Sequence, residues 1–328
     1  MTLVRETRFR IPADRAGGAL LDFLNARFPY HSAGEWEERI RGGRVRVNGA
    51  PAQAAQTLAD GDLLEYDSSD IPEPPADMNV SVVFDDADLL VVNKSGDLTC
   101  HPGGRYFHHT LWAIAKTRFG IAEPYLVNRL DRETSGLVII ARHERAAKVC
   151  RKQFADRKTE KRYRVLVEGE FPATVTARGR IEPAEGAAVR NMQRFVAAPD
   201  GAAAAPDGTE WSETRFVRMA RHGPVSEIEA QPRTGRLHQI RATLLALGNP
   251  VAGDKLYGVD PGIFVRFCQG AMTDADRARL RMPRQALHAA RLRLRHPATG
   301  RVLDLEAPMP EDMTELIRQL DAAGGAAP

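Results

Sequence analysis

The sequence of 328 residues has few cysteines and no long apolar run, and both absences narrow the possible functions. No hydrophobic stretch approaches the roughly 20 residues that cross a bilayer, so we expect no transmembrane segment. The charged segment from Met1 to Ile11 lacks the apolar core of a secretory signal, and we therefore expect a cytoplasmic protein. Cys100, Cys150 and Cys268 lie far apart without a C-x-x-C pair, which argues against a disulfide framework or a cysteine zinc site.

A large charge of one sign is also missing, because 46 basic residues oppose 43 acidic ones for a net charge of +3. The distribution is nevertheless uneven, with basic runs from Arg142 to Arg164 and from Arg277 to Arg301. A charge run is usually a solvated helix face, and that alternative stays open for both segments. Two such runs would also suit a polyanionic partner such as RNA, whose phosphates need positioning.

Motifs for metal and nucleotide binding are missing as well. Five histidines suggest a metal site, but none belongs to an H-E-x-x-H pair and no cysteine lies at ligand spacing. The glycine pairs at 42–43 and 103–104 lack the pattern of a phosphate-binding loop. We therefore expect no catalytic metal and no bound nucleotide. The histidines are His101, His108, His109, His238 and His288.

One carboxylate lies in a polar loop between two apolar runs. The loop, residues 128–136, follows Tyr125–Val127 and precedes Leu137–Ala141, and both runs are typical of short strands. It contains Asp131 with arginines nearby on both sides, which favour an ionised carboxylate. In isolation, a structural ion pair in a tight turn would be the simpler interpretation.

Strand-like runs recur from Val80 onward, and they do not alternate regularly with helices. This pattern disfavours a doubly wound parallel sheet and predicts a mixed, largely antiparallel α+β domain. Residues 184–208, rich in Ala, Gly, Pro and Asp, are predicted to form a surface excursion. The predicted strands are Val80–Phe84, Leu89–Asn93, Leu137–Ala141, Tyr163–Val167, Thr214–Met219 and Val225–Ala230, and the predicted helices are Leu111–Phe119, Ala146–Phe154 and Leu237–Leu247.

The N-terminal segment predicts a separate small α+β domain. Helical periodicity covers Gly18–Phe28 and Ala33–Arg41, and the alternating segment Arg44–Gly49 ends in the Asn-Gly signal of a β-hairpin. Two helices followed by a basic hairpin resemble the α-L RNA-binding domain, although a small domain with a merely charged surface remains the alternative. The resemblance assigns phosphate contacts to Arg39, Arg41, Arg44 and Arg46.

A change of composition separates this domain from the rest of the chain. Residues 68–78 contain three prolines and several acids without periodicity, which is typical of an extended linker. The predicted organisation is an RNA-binding domain at 1–67, a Pro-rich linker at 68–78, a catalytic domain at 79–311, and a C-terminal helix with a flexible tail at 312–328.

Several motifs together resemble the RluA family of pseudouridine synthases, which isomerise uridines in RNA. Residues 128–136 match the family signature H-R-L-D-x-x-T-S-G except at the first position, where this sequence has Asn128. Further matches follow in the family's order, so the resemblance does not rest on one string. They are Leu90–Lys94, His101–Gly104, Glu160–Gly169, Thr234–Arg241, Gly253–Gly258 and Leu287–Ala289.

The resemblance implies a pseudouridine synthase fold and a cofactor-free reaction, because uracil is detached, turned and reattached without redox change. It makes Asp131 the catalytic carboxylate, either as a nucleophile or as a base, and pairs it with Arg241. It places Tyr163 against the uracil ring. The plainer alternatives are a surface arginine at position 241 and a core aromatic at position 163.

Three further residues are assigned to the substrate by the same resemblance. Arg129 would fill the space vacated by a flipped uridine, although a simple phosphate contact is the alternative. Leu287 would form an apolar wall of the uracil pocket, unless it is an ordinary core leucine. His238, in the same motif as Arg241, would contact the substrate.

The RNA target stays open at this stage. Asn128 and the segment Cys100–Tyr106 are similar to a subgroup with tRNA-modifying members, whereas many members with this N-terminal domain act on large-subunit ribosomal RNA. An inactive RNA-binding or ribosome-assembly factor is a rival function, as is a glycoside hydrolase, which would need a second carboxylate opposite Asp131. Glu133 is the nearest candidate. We expect a monomer that binds RNA and has no membrane partner.

Overall fold

The structure is a computed structural model that describes residues 5–28, 30–69, 72–187, 189, 191–199 and 211–324. Its residues form two compact units. The first comprises Met1–Pro75 with His101–His109, and the second comprises Ala76–Cys100 with Thr110–Pro328. The predicted domain limits stay predictions, and residues 325–328 of the predicted tail lie outside the described residues.

The described part of the first unit contains a four-stranded antiparallel sheet and two α-helices around one apolar core. Trp36 and Leu64 are fully buried in that core. Asn48 and Gly49 both have positive φ, at 52° and 78°, as a two-residue hairpin turn requires, and the predicted Asn-Gly turn is present. The elements are β1 (Glu6–Arg10), α1 (Leu20–Arg27), α2 (Ala33–Arg41), β2 (Val45–Val47), β3 (Ala50–Pro51) and β4 (Leu63–Asp67).

Glu73, within the predicted linker, binds a loop that comes much later in the chain. Its carboxylate accepts hydrogen bonds from the backbone N–H groups of Phe107, His108 and His109 at 2.8, 2.8 and 2.9 Å. Burial raises the pKa of Glu73, but these amides and the charge of Arg5 outweigh it and hold the pKa below its ordinary value. The hydrogen bonds explain why residues 101–109 belong to the first unit.

The described part of the second unit contains a mixed sheet of eleven strands. Its neighbouring strands run antiparallel except for one central pair, so the predicted mixed, largely antiparallel α+β class is confirmed. The strands are β5 (Val80–Asp85), β6 (Leu89–Lys94), β7 (Tyr125–Leu126), β8 (Ser135–Ala141), β9 (Glu160–Glu168), β10 (Thr174–Pro183), β11 (Gln193–Ala197), β12 (Trp211–His222), β13 (Val225–Pro232), β14 (Leu287–Arg295) and β15 (Val302–Glu306).

Along the sheet the order is β11-β10-β12-β13-β9-β14-β8-β6-β5, with β15 on β14 and β7 on β8. Residues 193–197 were expected in a surface excursion, and that expectation is wrong for them, because they pair with β10 as an edge strand. None of the helices in the described ranges is both long and apolar enough to cross a membrane. The helices of this unit are α3 (Leu111–Thr117), α4 (Glu144–Ala155), α5 (Gln239–Ala246), α6 (Gly262–Cys268), α7 (Asp274–Leu280) and α8 (Glu311–Gly324).

Strand β8 is buried along its whole length, as its continuous apolar run predicts for a strand covered on both faces. Val138 and Ile140 belong to an apolar cluster that includes residues of α3, whereas Leu137 and Ile139 belong to one that includes residues of α4. Successive side chains of a strand point to opposite faces, so the two helices cover the two sides of β8.

The parallel pair of β8 and β14 brings the candidate site together. Gly136 in β8 has a φ of 115°, and a Cβ there would lie 2.4 Å from the backbone oxygen of Ala289 in β14. Glycine alone permits this approach without a backbone shift. On the other side of β14, Tyr163 of β9 pairs with Ala289. The loop before β8, the start of β14 and the middle of β9 therefore meet.

Candidate active site

The loop that contains Asp131 is held by buried groups beneath it. Lys94 is fully buried and donates hydrogen bonds to three backbone carbonyls, one of which belongs to Arg132 at 3.1 Å. Burial lowers the pKa of Lys94 to about 8. The thiol of Cys100 lies 3.4 Å from both the backbone nitrogen and the backbone oxygen of Leu130. The residues on either side of Asp131 are thereby fixed.

Asn128, where the family signature has histidine, links the loop to β8. Its Oδ1 accepts a hydrogen bond from the backbone N–H of Ile139 at 2.9 Å, and its Nδ2 donates to the carbonyl of Leu137 at 3.1 Å. A side-chain amide offers one donor group and one acceptor, as a peptide group does. Asn128 therefore continues the strand's hydrogen bonding and holds the start of the loop against β8.

Arg241, in the first turn of α5, joins two carboxylates. Its Nη1 donates to Oδ2 of Asp131 at 2.8 Å, and its Nε and Nη2 donate to Asp254 at 2.6 and 2.9 Å. Its side chain is only 9% exposed, so the surface-arginine alternative fails. Burial opposes the charge, but both carboxylates outweigh it and raise the pKa of Arg241. The guanidinium therefore stays charged and directed at Asp131.

Asp254 is a site residue that the sequence did not reveal. Its fully buried carboxylate accepts hydrogen bonds from the backbone N–H groups of Leu256 and Tyr257, at 3.0 and 2.9 Å, in addition to the fork from Arg241. Burial raises the pKa of Asp254, but Arg241 and these amides hold it below its ordinary value. The sequence feature that pointed to Asp254 was its place in the motif Gly253–Gly258, for which the sequence alone predicts no role.

His238 precedes α5 in the left-handed conformation, with a φ of 53°. The hydroxyl of Tyr257 accepts a hydrogen bond from the backbone N–H of Gln193 at 2.7 Å and forms another with Nδ1 of His238 at 2.9 Å. Nε2 on the other side of the ring lies 3.8 Å from Oδ1 of Asp131. Burial lowers the pKa of His238, although the charge of Asp131 opposes this effect. The lowered pKa favours the neutral ring.

A cavity of about 550 Å³ is lined by all six residues that the sequence assigned to catalysis or substrate. Leu287 is buried in its wall, and Tyr163 is partly buried beside it. Burial and the charge of Asp131 raise the pKa of Tyr163 to about 12, so its hydroxyl stays protonated. Arg129 is exposed. The other lining residues of the predicted set are His238 and Arg241, and the roles of all six stay predictions.

A second acid opposite Asp131, which a glycoside hydrolase would need, is missing from the described lining of this cavity. Glu133, the candidate from the sequence, does not line the cavity. Its carboxylate instead accepts a hydrogen bond from Nζ of Lys255 at 2.8 Å and lies 3.4 Å from Arg132. The geometry therefore disfavours glycoside hydrolysis.

One group with the spacing of metal ligands occurs among the described residues, and it comprises Asp86, Asp88 and His296. Nδ1 of His296 accepts hydrogen bonds from the backbone N–H groups of Ala298 and Thr299 at 3.3 and 3.2 Å. The neutral ring then has its hydrogen on Nε2, which faces Asp86 at 2.8 Å. An imidazole with its hydrogen on Nε2 presents no lone pair there to a metal ion.

The four arginines predicted to contact RNA lie in the first unit. Arg39 and Arg41 are in the last turn of α2, and Arg44 precedes β2. Arg46 is exposed between the buried Val45 and Val47, as the alternation predicts. Arg41 and Arg44 are exposed as well. These side chains follow one another along a single segment of the surface.

Most cations in the two basic runs pair with carboxylates of neighbouring elements. A run of basic residues therefore overstates the positive charge that is available to a ligand. Those of the first run with acidic partners are Arg142, Lys148, Lys152, Lys158, Arg162 and Arg164, and those of the second run are Arg277, Arg279, Arg281, Arg284, Arg291 and Arg293.

Comparison with known proteins agrees with this arrangement. The model of the family described as RNA pseudouridylate synthase matches residues 88–246. The ribosomal large subunit pseudouridine synthase D of Neisseria meningitidis serogroup A is 30% identical, over 96% of this chain and 82% of that protein. The chain belongs to the RNA pseudouridylate synthase family. It is an RNA pseudouridine synthase, and the inactive alternative is disfavoured.

One further relative and one solved structure are also similar to this pseudouridine synthase. The mitochondrial tRNA pseudouridine(32) synthase of Saccharomyces cerevisiae is 29% identical, over 78% of this chain and 54% of that protein. The structure of human RNA pseudouridylate synthase domain containing 4 covers 73% of this chain and 92% of that chain at a TM-score of 0.56. At 22% identity this likeness shows the fold, and it does so for most of the chain.

Proposed function

We propose that this pseudouridine synthase isomerises a uridine of large-subunit ribosomal RNA, with Asp131 as its catalytic carboxylate. The observation behind the proposal is one carboxylate in a cavity, held by a buried arginine that a second, fully buried carboxylate fixes. The ribosomal target follows the relative from Neisseria, whose name specifies the large subunit and which aligns with 96% of this chain.

The reaction breaks the bond from ribose C1′ to uracil N1 and forms a bond from C1′ to C5, while a proton leaves C5 and one is taken up at N1. Oδ2 of Asp131 accepts the hydrogen bond of Arg241, whereas Oδ1 accepts none from the described residues. Oδ1 is therefore the atom that meets the ribose, as a nucleophile or as a base. Both routes need a carboxylate that is held ionised and directed.

The detached uracil is held by the walls of the cavity. The ring of Tyr163 stacks on it, and its protonated hydroxyl can donate a hydrogen bond. Leu287 excludes water on another side, which keeps the intermediate from being lost. Nε2 of His238 forms a hydrogen bond with an oxygen of the substrate close to Oδ1 of Asp131. Arg129 occupies the space that the flipped uridine leaves in the RNA.

The first unit adds RNA affinity through phosphate contacts along α2 and β2. Replacement of exposed Arg41 and Arg46 together by glutamine should reduce the slope of log affinity against log salt by about 0.7 to 0.9 per arginine, without altering turnover at saturating RNA. An unchanged slope would remove the RNA-binding role of this segment. The protein is proposed to act as a monomer in the cytoplasm, without a membrane partner.

Transfer RNA is the second candidate substrate, favoured by Asn128 and by the yeast relative, which is named a tRNA pseudouridine(32) synthase. Pseudouridine mapping of total RNA from cells with and without the gene separates the two candidates. Loss of pseudouridine at a large-subunit position supports the ribosomal target, and loss confined to tRNA supports the second candidate. Identical maps would contradict both.

A further inference from the structure

Arg157, directly after α4, adopts a backbone conformation that favours glycine. Its φ is 57°, and it closes the helix in the usual C-terminal motif: its N–H donates to the carbonyl of Phe154 at 3.1 Å, and that of Lys158 donates to Gln153 at 2.9 Å. Glycine is the usual residue where a helix ends in this motif, because a side chain there is strained. Strain of this kind is concentrated at functional sites.

The side chain of Arg157 lines the same cavity as Asp131, and it is exposed. It forms no ion pair with any carboxylate of the described residues. No acid among the described residues therefore accounts for the strained conformation, and the exposed guanidinium is accessible to a ligand in the cavity.

Lys161, four residues later on β9, lines the cavity as well. Its Nζ donates a single hydrogen bond within the described structure, to the carbonyl of Thr234 at 2.7 Å. Burial lowers the pKa of Lys161 to about 8, and no carboxylate offsets that effect. An ammonium group has three donors, so two of them are available to a ligand.

Three other cations that line the cavity have acidic partners, and Arg236 donates to the backbone carbonyl of Trp211 at 3.3 Å. One of the three is Arg241, which binds Asp131 and Asp254. Arg233 pairs with Glu213, and Arg291 pairs with Asp304. Arg129 also has no acidic partner among the described residues. It belongs to a different segment, the loop of Asp131 that precedes β8. The end of α4 and the start of β9 thus present to the cavity two cations without acidic partners among the described residues.

We propose that Arg157 and Lys161 form a binding site for a backbone phosphate of the RNA beside the target uridine. An arginine fork and a lysine ammonium together match the oxygens of a phosphate diester. The site holds the strand in place while the uridine enters the cavity, and it acts through position rather than in the chemical step. This inference rests on the proposed function, because it concerns the RNA substrate of the same cavity.

Binding of a stem-loop RNA with one loop uridine, measured by fluorescence anisotropy over a range of salt, tests the site in the full-length protein. The double variant Arg157→Gly/Lys161→Met should reduce the slope of log affinity against log salt by about 0.7 to 0.9, the contribution of one phosphate, and each single variant should lose part of that. Arg145→Gln is the matched control, because Arg145 is an exposed cation of α4 that lies outside the cavity. It should leave the slope nearly unchanged. An equal decrease in the control would overturn the site, as would an unchanged slope in the double variant.

The melting temperature of Arg157→Gly distinguishes a role in phosphate binding from a structural role of Arg157. Glycine removes the strain at this position, so Arg157→Gly should melt at the same temperature as the natural protein or higher. A lower melting temperature combined with an unchanged salt slope would mean that Arg157 serves only to complement the C-terminal dipole of α4. That result would overturn its role in phosphate binding.

A neutral methylphosphonate, placed in turn at each phosphate within two nucleotides of the uridine, identifies the partner. At one position it should weaken binding by the natural protein but not by the double variant Arg157→Gly/Lys161→Met. Equal weakening of both proteins at every position would overturn the proposal. Pseudouridine formation on the unmodified RNA is followed in parallel, and its absence in the natural protein would count against the proposed function rather than against the phosphate site.

Discussion

The guanidinium of Arg241 compensates the buried charge of Asp254 and also orients Asp131, and replacement by methionine removes both effects. The substitution leaves the carboxylate of Asp254 fully buried with hydrogen bonds from only two backbone N–H groups. Removal of one partner from a buried ion pair costs about 3–5 kcal/mol, because the remaining charge is uncompensated. Arg241→Met should therefore lower the free energy of unfolding of the second unit by that amount. It should also abolish the orientation of Asp131.

The double variant Arg241→Met/Asp254→Asn removes the buried charge along with its partner. Most of the lost stability should return, since a neutral amide needs less compensation than a carboxylate. Activity should not return, because Asp131 still lacks the donor at 2.8 Å. Misplacement of a catalytic group costs about 10²-fold or more in rate, so both variants should fall at least that far in single-turnover pseudouridine formation.

Urea unfolding followed by tryptophan fluorescence measures the stability difference. Trp36 is in the first unit, whereas Trp112 and Trp211 are in the second, so a Trp36→Phe background reports the second unit alone. Equal stability of the natural protein and Arg241→Met would refute the buried-pair reasoning. Near-normal turnover by the double variant would refute the orienting role of Arg241.

Two further predictions concern the RNA. Arg129→Ala should reduce the single-turnover rate more on a stem-loop than on an unstructured RNA of the same sequence, since only stacked uridines need a replacement; equal losses would leave Arg129 as a phosphate contact. Lys161 has a pKa of about 8, so its ammonium is present below that pH and is lost as the pH rises through it. RNA affinity should therefore fall between pH 7 and 9 in the natural protein and less so in Lys161→Met, and parallel pH profiles would argue against a charge contact.

Local signals in the sequence predicted much of the fold. The Asn-Gly turn at Asn48 needs only its own two residues, and the burial of β8 follows from five consecutive apolar residues. Strand β14 was not predicted, although Arg291 to Arg295 alternates leucine and arginine. The leucines are buried, while Arg291 and Arg293 pair with Asp304 and Glu160. Those acids lie on other strands, and sequence alone does not reveal the pairing.

The candidate site could be predicted only as far as its motifs extend. Motif resemblance named the residues around Asp131, and the structure places them at one cavity. Asp254 escaped because a buried acid has no distinctive sequence pattern, and its importance appears only when Arg241 is found to reach both carboxylates. Arg157 escaped for a similar reason, because a left-handed backbone at an arginine becomes visible only in the structure.

The central claim is that one carboxylate, Asp131, performs the isomerisation. Asp131→Asn preserves the shape of the side chain and an oxygen that can accept the hydrogen bond of Arg241, so the variant should fold and bind RNA. Pseudouridine at the mapped position should be restored by the natural gene in cells that lack it, and should stay at background with the variant gene. Appreciable pseudouridine formed by the Asp131→Asn protein at that position would contradict the account.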